Sequence, residues 1–153
     1  NPNYGAAYLA RGNLLRAQGN ADQALADLNQ AIRLNPEGAE ALHSRGLLYQ
    51  KAGDHLRAIS DFDSAIDRNP YVAPPYTARG QSYVQIGKYD SAVEDFTASL
   101  NVDNRNGDAW AWRGVALEKL NRPREASESY ARALTADPNN AVARSGQSRI
   151  GRV

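Results

Sequence analysis

The sequence predicts an all-α fold built by repeating one helical hairpin, and three observations predict it. The dipeptide Arg-Gly recurs as Arg11-Gly12, Arg45-Gly46, Arg79-Gly80 and Arg113-Gly114, each copy 34 residues after the last. Further positions keep the same step: Ala24, Ala58, Ala92 and Ala126; Leu28, Phe62, Phe96 and Tyr130; Ala31, Ala65, Ser99 and Ala133. Helix-breaking residues punctuate each copy, with Gly19, Gly53 and Gly87 at the midpoint, Asn121 replacing them in the fourth, and Asn35-Pro36, Asn69-Pro70 and Asp137-Pro138 at the ends. The third copy has Asn104 in place of that proline. A fixed period of this size marks an array in which each unit buries its apolar face against its neighbours.

In the first half of each copy, apolar or aromatic residues lie seven apart, two helical turns: Tyr8 and Leu15, Leu42 and Tyr49, Tyr76 and Tyr83, Trp110 and Leu117. The midpoint glycine then ends this first helix, because a residue that tolerates a left-handed backbone closes a helix C-terminus. In the second half, Ala24, Leu25, Leu28, Ala31 and Ile32 of residues 21–34 form one stripe of a second helix, which the following proline cannot extend. Gly12, Ala24 and Ala31 are small where the two helices of one hairpin approach. Tyr8, Tyr49, Tyr76, Tyr83 and Tyr130 take positions that are apolar in sister copies and are expected in the core. Asp27, Asp61 and Asp95 follow the first three arginines by sixteen residues, which predicts an ion pair between the helices of each hairpin. The fourth copy has Ser129 there, leaving Arg113 without an assigned partner.

The order bulky apolar residue, glycine, aromatic, alanine, aromatic, alanine and proline, at these spacings, resembles the tetratricopeptide repeat (TPR) family over residues 5–140. The resemblance implies a right-handed α–α superhelix, a solenoid of four helix-turn-helix repeats at 5–38, 39–72, 73–106 and 107–140. Residues 1–4 fall where a preceding repeat or linker would end. Residues 141–153 start in register as a further first helix, but Arg144 and Ser148 stand where an apolar residue and glycine stood, so a polar C-terminal capping helix is expected. The absence of methionine suggests a processed product or a piece of a longer chain.

Composition excludes several classes of function. The chain has 42% hydrophobic and 23% charged residues, ordinary for a globular protein, and no apolar run of membrane-spanning length. Its 18 basic and 17 acidic residues are interspersed, so no basic stripe offers itself to nucleic acid. It has no cysteine, and neither of its two histidines, His43 and His55, has metal-ligand spacing to the other. The run Asp103–Asp108 faintly resembles a calcium loop but places Arg105 among the would-be ligands. Without a phosphate loop, nucleophile elbow or zinc motif, neither an enzyme nor a bound cofactor or metal is expected.

The resemblance implies protein–protein interaction, as a scaffold or adaptor that binds a peptide or protein segment in a concave groove lined by the first helices. Carried over position by position, the groove residues are Asn13, Arg16, His43, Gln50, Thr77, Gln81, Gln85 and Trp112, with Glu40, Ser44, Lys51, Asp108, Glu118 and Lys119 beside them. Trp112 is the sharpest expectation, since Trp110 takes the core position and leaves Trp112 toward the ligand. The clamp by which some relatives hold acidic chaperone tails is not matched: Leu9, Ser44, Pro74 and Ala78 occupy four of its five positions, and Asn13 alone agrees. Two rival readings are self-association into a homo-oligomer through an exposed terminal repeat, and a substrate-docking segment of a larger enzyme. The excess of arginine over lysine points to a bacterial source, with cytoplasm or periplasm as the compartment.

Overall fold

The computed structural model describes residues 2–151, and the side chains of Pro2 and Asn3 are not part of that description. The described residues form nine helices in two compact units, the chain dividing between Tyr71 and Val72. The first unit holds α1 (Pro2–Ala17), α2 (Ala21–Leu34), α3 (Ala39–Lys51) and α4 (His55–Arg68). The second holds α5 (Ala73–Gln85), α6 (Tyr89–Val102), α7 (Gly107–Lys119), α8 (Pro123–Ala136) and α9 (Ala141–Ile150). Helix α1 begins at Pro2, ahead of the register in which α3, α5 and α7 begin, so residues 2–4 extend a first helix. Asn1, Arg152 and Val153 lie outside the described residues.

Each hairpin turn is made by one left-handed residue: Gly19, Gly53 and Gly87 have φ of 81°, 82° and 78°, and Asn121 has 59°. Around them the backbone bonds of a Schellman closure recur. Asn20 N donates to the Leu15 carbonyl at 2.9 Å and Gly19 N to that of Arg16 at 3.1 Å, and the other three turns repeat the pattern. The next helix is then started by a side-chain cap at Asp54, which accepts from Arg57 N, or by a proline at Pro123, whose fixed φ and missing N–H suit the first helical turn.

Inside the hairpins the recurrent glycine faces the recurrent large side chain. A Cβ on Gly46 would stand 2.5 Å from the Phe62 ring, on Gly80 2.7 Å from Phe96, on Gly114 2.5 Å from Tyr130, and on Gly12 2.9 Å from Leu28. In unit 1, Ala24, Leu28 and Leu48 form a buried cluster with Leu9, Leu15 and Leu25 packed against it. In unit 2, Ala92, Phe96 and Ala116 form one cluster, and Ala111, Leu117, Ala126, Tyr130, Ala133 and Ala143 form another. From α9, Ala143 joins this second cluster with Val142 and Ile150 packed against it, and Gly146 is buried, while Arg144, Ser145, Ser148 and Arg149 stay exposed. Gly146, two residues before Ser148, takes over the close approach and lies against the Tyr130 ring.

The tyrosines divide. Tyr130 is fully buried and Tyr83, half-buried, packs against the Ala92–Phe96–Ala116 cluster, but Tyr8, Tyr49 and Tyr76 are half-buried at the hairpin edges, which corrects their placement in the core. Guanidinium groups lie over three of these rings, with Arg11 5.6 Å from Tyr8, Arg45 6.0 Å from Tyr49 and Arg79 6.0 Å from Tyr76. A ring with one apolar side and one cation-facing side is better placed at a hairpin edge than inside it.

Candidate ligand wall on the first helices

The recurrent arginines sit where the sequence spacing puts them. Arg11 grips Asp27 with Nε and Nη2 at 2.6 and 2.8 Å, Arg45 grips Asp61 at 2.8 and 2.7 Å, and Arg79 grips Asp95 at 2.8 and 2.7 Å. Each is the two-pronged guanidinium–carboxylate pairing that fixes geometry as well as charge. Arg113, without an aspartate, donates to the Ser129 hydroxyl at 2.6 Å and to that of Thr97 at 3.1 Å. Arg45 likewise reaches back to the Asn29 side-chain oxygen at 2.9 Å. The backward partners are missed by the forward spacing alone; the signal for them is a polar acceptor sixteen residues before the arginine. These arginines lock helix to helix.

The wall expected to meet a partner can then be followed in each unit. In unit 1, Asn13 and Arg16 are three apart on α1, so they share a face, and His43 and Gln50 are seven apart on α3, which touches α1. All four are half-buried. The Asn13 Oδ1 and Arg16 Nε atoms are shielded and have no hydrogen-bond partner among the described residues. Burial, reinforced by the positive charge of Arg16, pushes the His43 imidazole down to about 4, so it is neutral near pH 7 and packs at 5.8 Å against Phe62. Farther along the same faces, Ala6, Leu9, Gly38, Ala39 and Glu40 line an apolar recess of about 230 Å³.

In unit 2, Gln81 is half-buried and Gln85 exposed on α5. Thr77 corrects the expectation: it is 8% exposed and its hydroxyl shares a hydrogen bond with that of Ser99, so it belongs to the α5–α6 contact. Trp112 is half-buried and packed on the Ala92–Phe96–Ala116 cluster, beside Tyr83, Val84, Tyr89 and Val93. It therefore carries structural weight along with whatever face it shows to a ligand. Three neighbours of these residues also leave the wall. Ser44 is buried, Asp108 accepts from Asn140 Nδ2 at 2.9 Å, and Glu118 is held by the Tyr130 hydroxyl at 2.6 Å and by Arg149 at 2.9 Å. The Arg149 hydrogen bond, aided by that of Tyr130, holds the Glu118 carboxyl below its ordinary range.

Among the described residues no group of three or more metal-ligating side chains comes together, and no helix is long and apolar enough to cross a membrane.

Known proteins match this architecture. MamA 41-end from Desulfovibrio magneticus RS-1 superposes with a TM-score of 0.89 at 19% identity, over 97% of this chain and 84% of that one. The first TPR of Spaghetti (RPAP3), bound to the HSP90 peptide SRMEEVD, superposes with a TM-score of 0.73 at 28% identity, over 74% and 90% of the two chains. The second TPR domain of human RPAP3, in complex with the HSP70 peptide SGPTIEEVD, gives 0.70 at 28% identity, over 74% and 98%. A comparison with curated proteins yields no significant match. A family model described as TPR repeat matches residues 12–53, and two described as tetratricopeptide repeat match 39–71 and 77–141. The helical hairpins, their spacing and these matches agree, and the chain belongs to the tetratricopeptide repeat family.

Proposed function

We propose that the chain is a scaffold or adaptor that holds a segment of a partner protein on the exposed wall of its first helices, with Asn13, Arg16, His43 and Gln50 acting in unit 1 and Gln81, Gln85 and Trp112 in unit 2. The observation that carries this reading is the pair of unsatisfied polar atoms on one face of α1, Asn13 Oδ1 and Arg16 Nε. A buried donor or acceptor without a partner forfeits about 1–3 kcal/mol. A ligand that draws these two side chains outward and bonds them recovers part of that, whereas the arginines already clasped by aspartate have nothing to gain. The TPR domains of RPAP3, solved with bound peptides, support a peptide as the ligand class. Leu9, Ser44, Pro74 and Ala78 stand at clamp positions, so an acidic chaperone tail is not the peptide expected; a polar, uncharged segment with a small aliphatic side chain for the Leu9 recess fits better. Within this reading, residues 5–38, 39–72, 73–106 and 107–140 act as four repeats, and α9 as the polar cap that keeps the face of α8 from water.

Selection of peptides from a random display library tests this. Peptides recovered against the wild-type chain should lose at least tenfold in affinity for an Arg16→Ala, Gln81→Ala variant whose circular dichroism and melting are unchanged. Equal binding by both would move the site off the first-helix wall, and a library that yields no binder would sink the reading.

A further inference from the structure

The residue that precedes α3, α5, α7 and α9 recurs every 34 positions as Gly38, Val72, Asn106 and Asn140, and of these the two asparagines cap their helix with a side chain. Asn106 Oδ1 accepts from Asp108 N at 3.0 Å and from Ala109 N at 3.3 Å, and Asn140 Oδ1 accepts from Ala143 N at 3.0 Å. The two caps then part. Asn140 is 6% exposed, its Nδ2 donates to Asp108, and Ala141 follows it. Asn106 is half-buried, its Nδ2 has no hydrogen-bond partner among the described residues, and Gly107 follows it, the one Asn-Gly step in the sequence. At such a step the glycine nitrogen can attack the asparagine side chain, because no Cβ on the following residue hinders the approach.

We propose that Asn106 is a site of spontaneous modification, at which the chain converts its own asparagine to aspartate and isoaspartate. The Gly107 nitrogen gives up its proton and bonds to Asn106 Cγ; the Cγ–Nδ2 bond breaks and ammonia leaves with that proton, closing a cyclic imide. Water then opens the ring at one carbonyl or the other, and nothing is oxidised or reduced. The fold sets the rate. A ψ of 102° at Asn106 puts the Gly107 nitrogen on the far side of the Cα–C bond from Cβ, and the cap bonds hold the side chain toward Asp108 and Ala109. Ring closure therefore waits for the first turn of α7 to open. The two products differ in what they rebuild. Aspartate keeps the acceptor oxygen of the cap and adds negative charge at the positive end of the helix. Isoaspartate lengthens the main chain by a methylene and turns the Asn106 carbonyl, which accepts from Trp110 N at 3.3 Å, into a carboxylate off the main chain. Asp108, the acceptor for Asn140, lies in the turn that this loosens, so the change reaches the contact between α7 and α9.

The test holds the chain of residues 1–153 at mildly alkaline pH, folded in buffer and unfolded in guanidinium chloride, and follows each asparagine by peptide mapping and mass spectrometry. In the folded chain Asn106 should convert at least tenfold faster than any other asparagine, to a mixture of isoaspartate and aspartate, while Asn140 stays unconverted. Unfolding should speed conversion at Asn106 at least tenfold. Gly107→Ala should slow it at least tenfold in both states; the added Cβ would stand 3.4 Å from Ala133 O and Ala136 Cβ, and unchanged circular dichroism is the control for its fold. The isoaspartate form, separated by ion exchange, should melt below the unmodified chain, and Asn106→Asp should not. The proposal is overturned by conversion spread over several asparagines, by equal rates in the folded and unfolded chain, or by indifference to Gly107→Ala. An isoaspartate form as stable as the unmodified chain overturns it as well.

Discussion

At the scale of single residues, the arginine–aspartate pairs bind the two helices of a hairpin in a way that the fourth repeat lacks. Hydrogen bonding to Asp61 holds the Arg45 guanidinium above its ordinary range, whereas burial pulls that of Arg113 below it. A double-mutant cycle on Arg45 and Asp61 should give a coupling of about 1 kcal/mol or more by urea unfolding, since both groups are shielded and the geometry is two-pronged; a coupling near zero would mean the pair follows the fold without stabilising it. The complementary change, Ser129→Asp, should restore the missing pair and raise stability by about 0.5–1 kcal/mol, a modest net gain because an introduced carboxylate is desolvated at a site that is now 1% exposed. A lower melting temperature for Ser129→Asp would show that desolvation wins. The sequence carried the three forward pairs outright, because a sixteen-residue offset between two fixed helices is a distance. It did not carry the interior placement of Thr77, whose hydroxyl turns toward that of Ser99, or the burial of Ser44, because which face of a first helix is covered depends on neighbours that only the packed structure supplies.

At the scale of the helical hairpin, two glycines per repeat do different work, and substitution separates them. Gly53 has a left-handed backbone and open space where a side chain would go, so Gly53→Ala should lose about 1 kcal/mol from backbone strain alone. Gly46 has ordinary helical geometry but faces the Phe62 ring at 2.5 Å from any added Cβ, so Gly46→Ala should lose about 1–3 kcal/mol through overpacking, or more if Phe62 cannot yield. Urea unfolding of the two variants checks the order, and a Gly46→Ala as stable as wild type would show that α3 and α4 shift apart freely. Sequence period alone located both glycines. In α9 the register position holds Ser148, and the close approach to Tyr130 is made by Gly146 instead, because a contact to a buried ring need not keep the register of the repeat.

At the scale of the whole molecule, each unit brings its own response to pH. Burial in the folded state lowers the His43 pKa to about 4, below the 6.5 of a free imidazole, so its contribution is complete above pH 6.5 and is lost as pH falls toward 4, by up to about 3 kcal/mol. Glu118, held below its ordinary 4.5, contributes above that pH and loses its contribution as pH falls through its lowered value. Tyr130, raised above 10 first by burial and then by Glu118, contributes below pH 10 and is lost as pH rises beyond it. Stability should therefore be greatest between about pH 6.5 and 10, and His43→Gln should flatten the fall between 6.5 and 4 in urea melts; an unchanged slope would show that His43 charges without penalty. By itself the sequence determined the repeat length, the hairpin boundaries, the recurrent small and aromatic core positions and the ion pairs, because a 34-residue period printed four times over makes every copy a control for the others. Tertiary structure decided which wall residues are spent on packing and that Trp112 rests on the α6 cluster. Those outcomes depend on what each side chain meets across a helix interface, and that neighbour lies at no fixed place in the sequence.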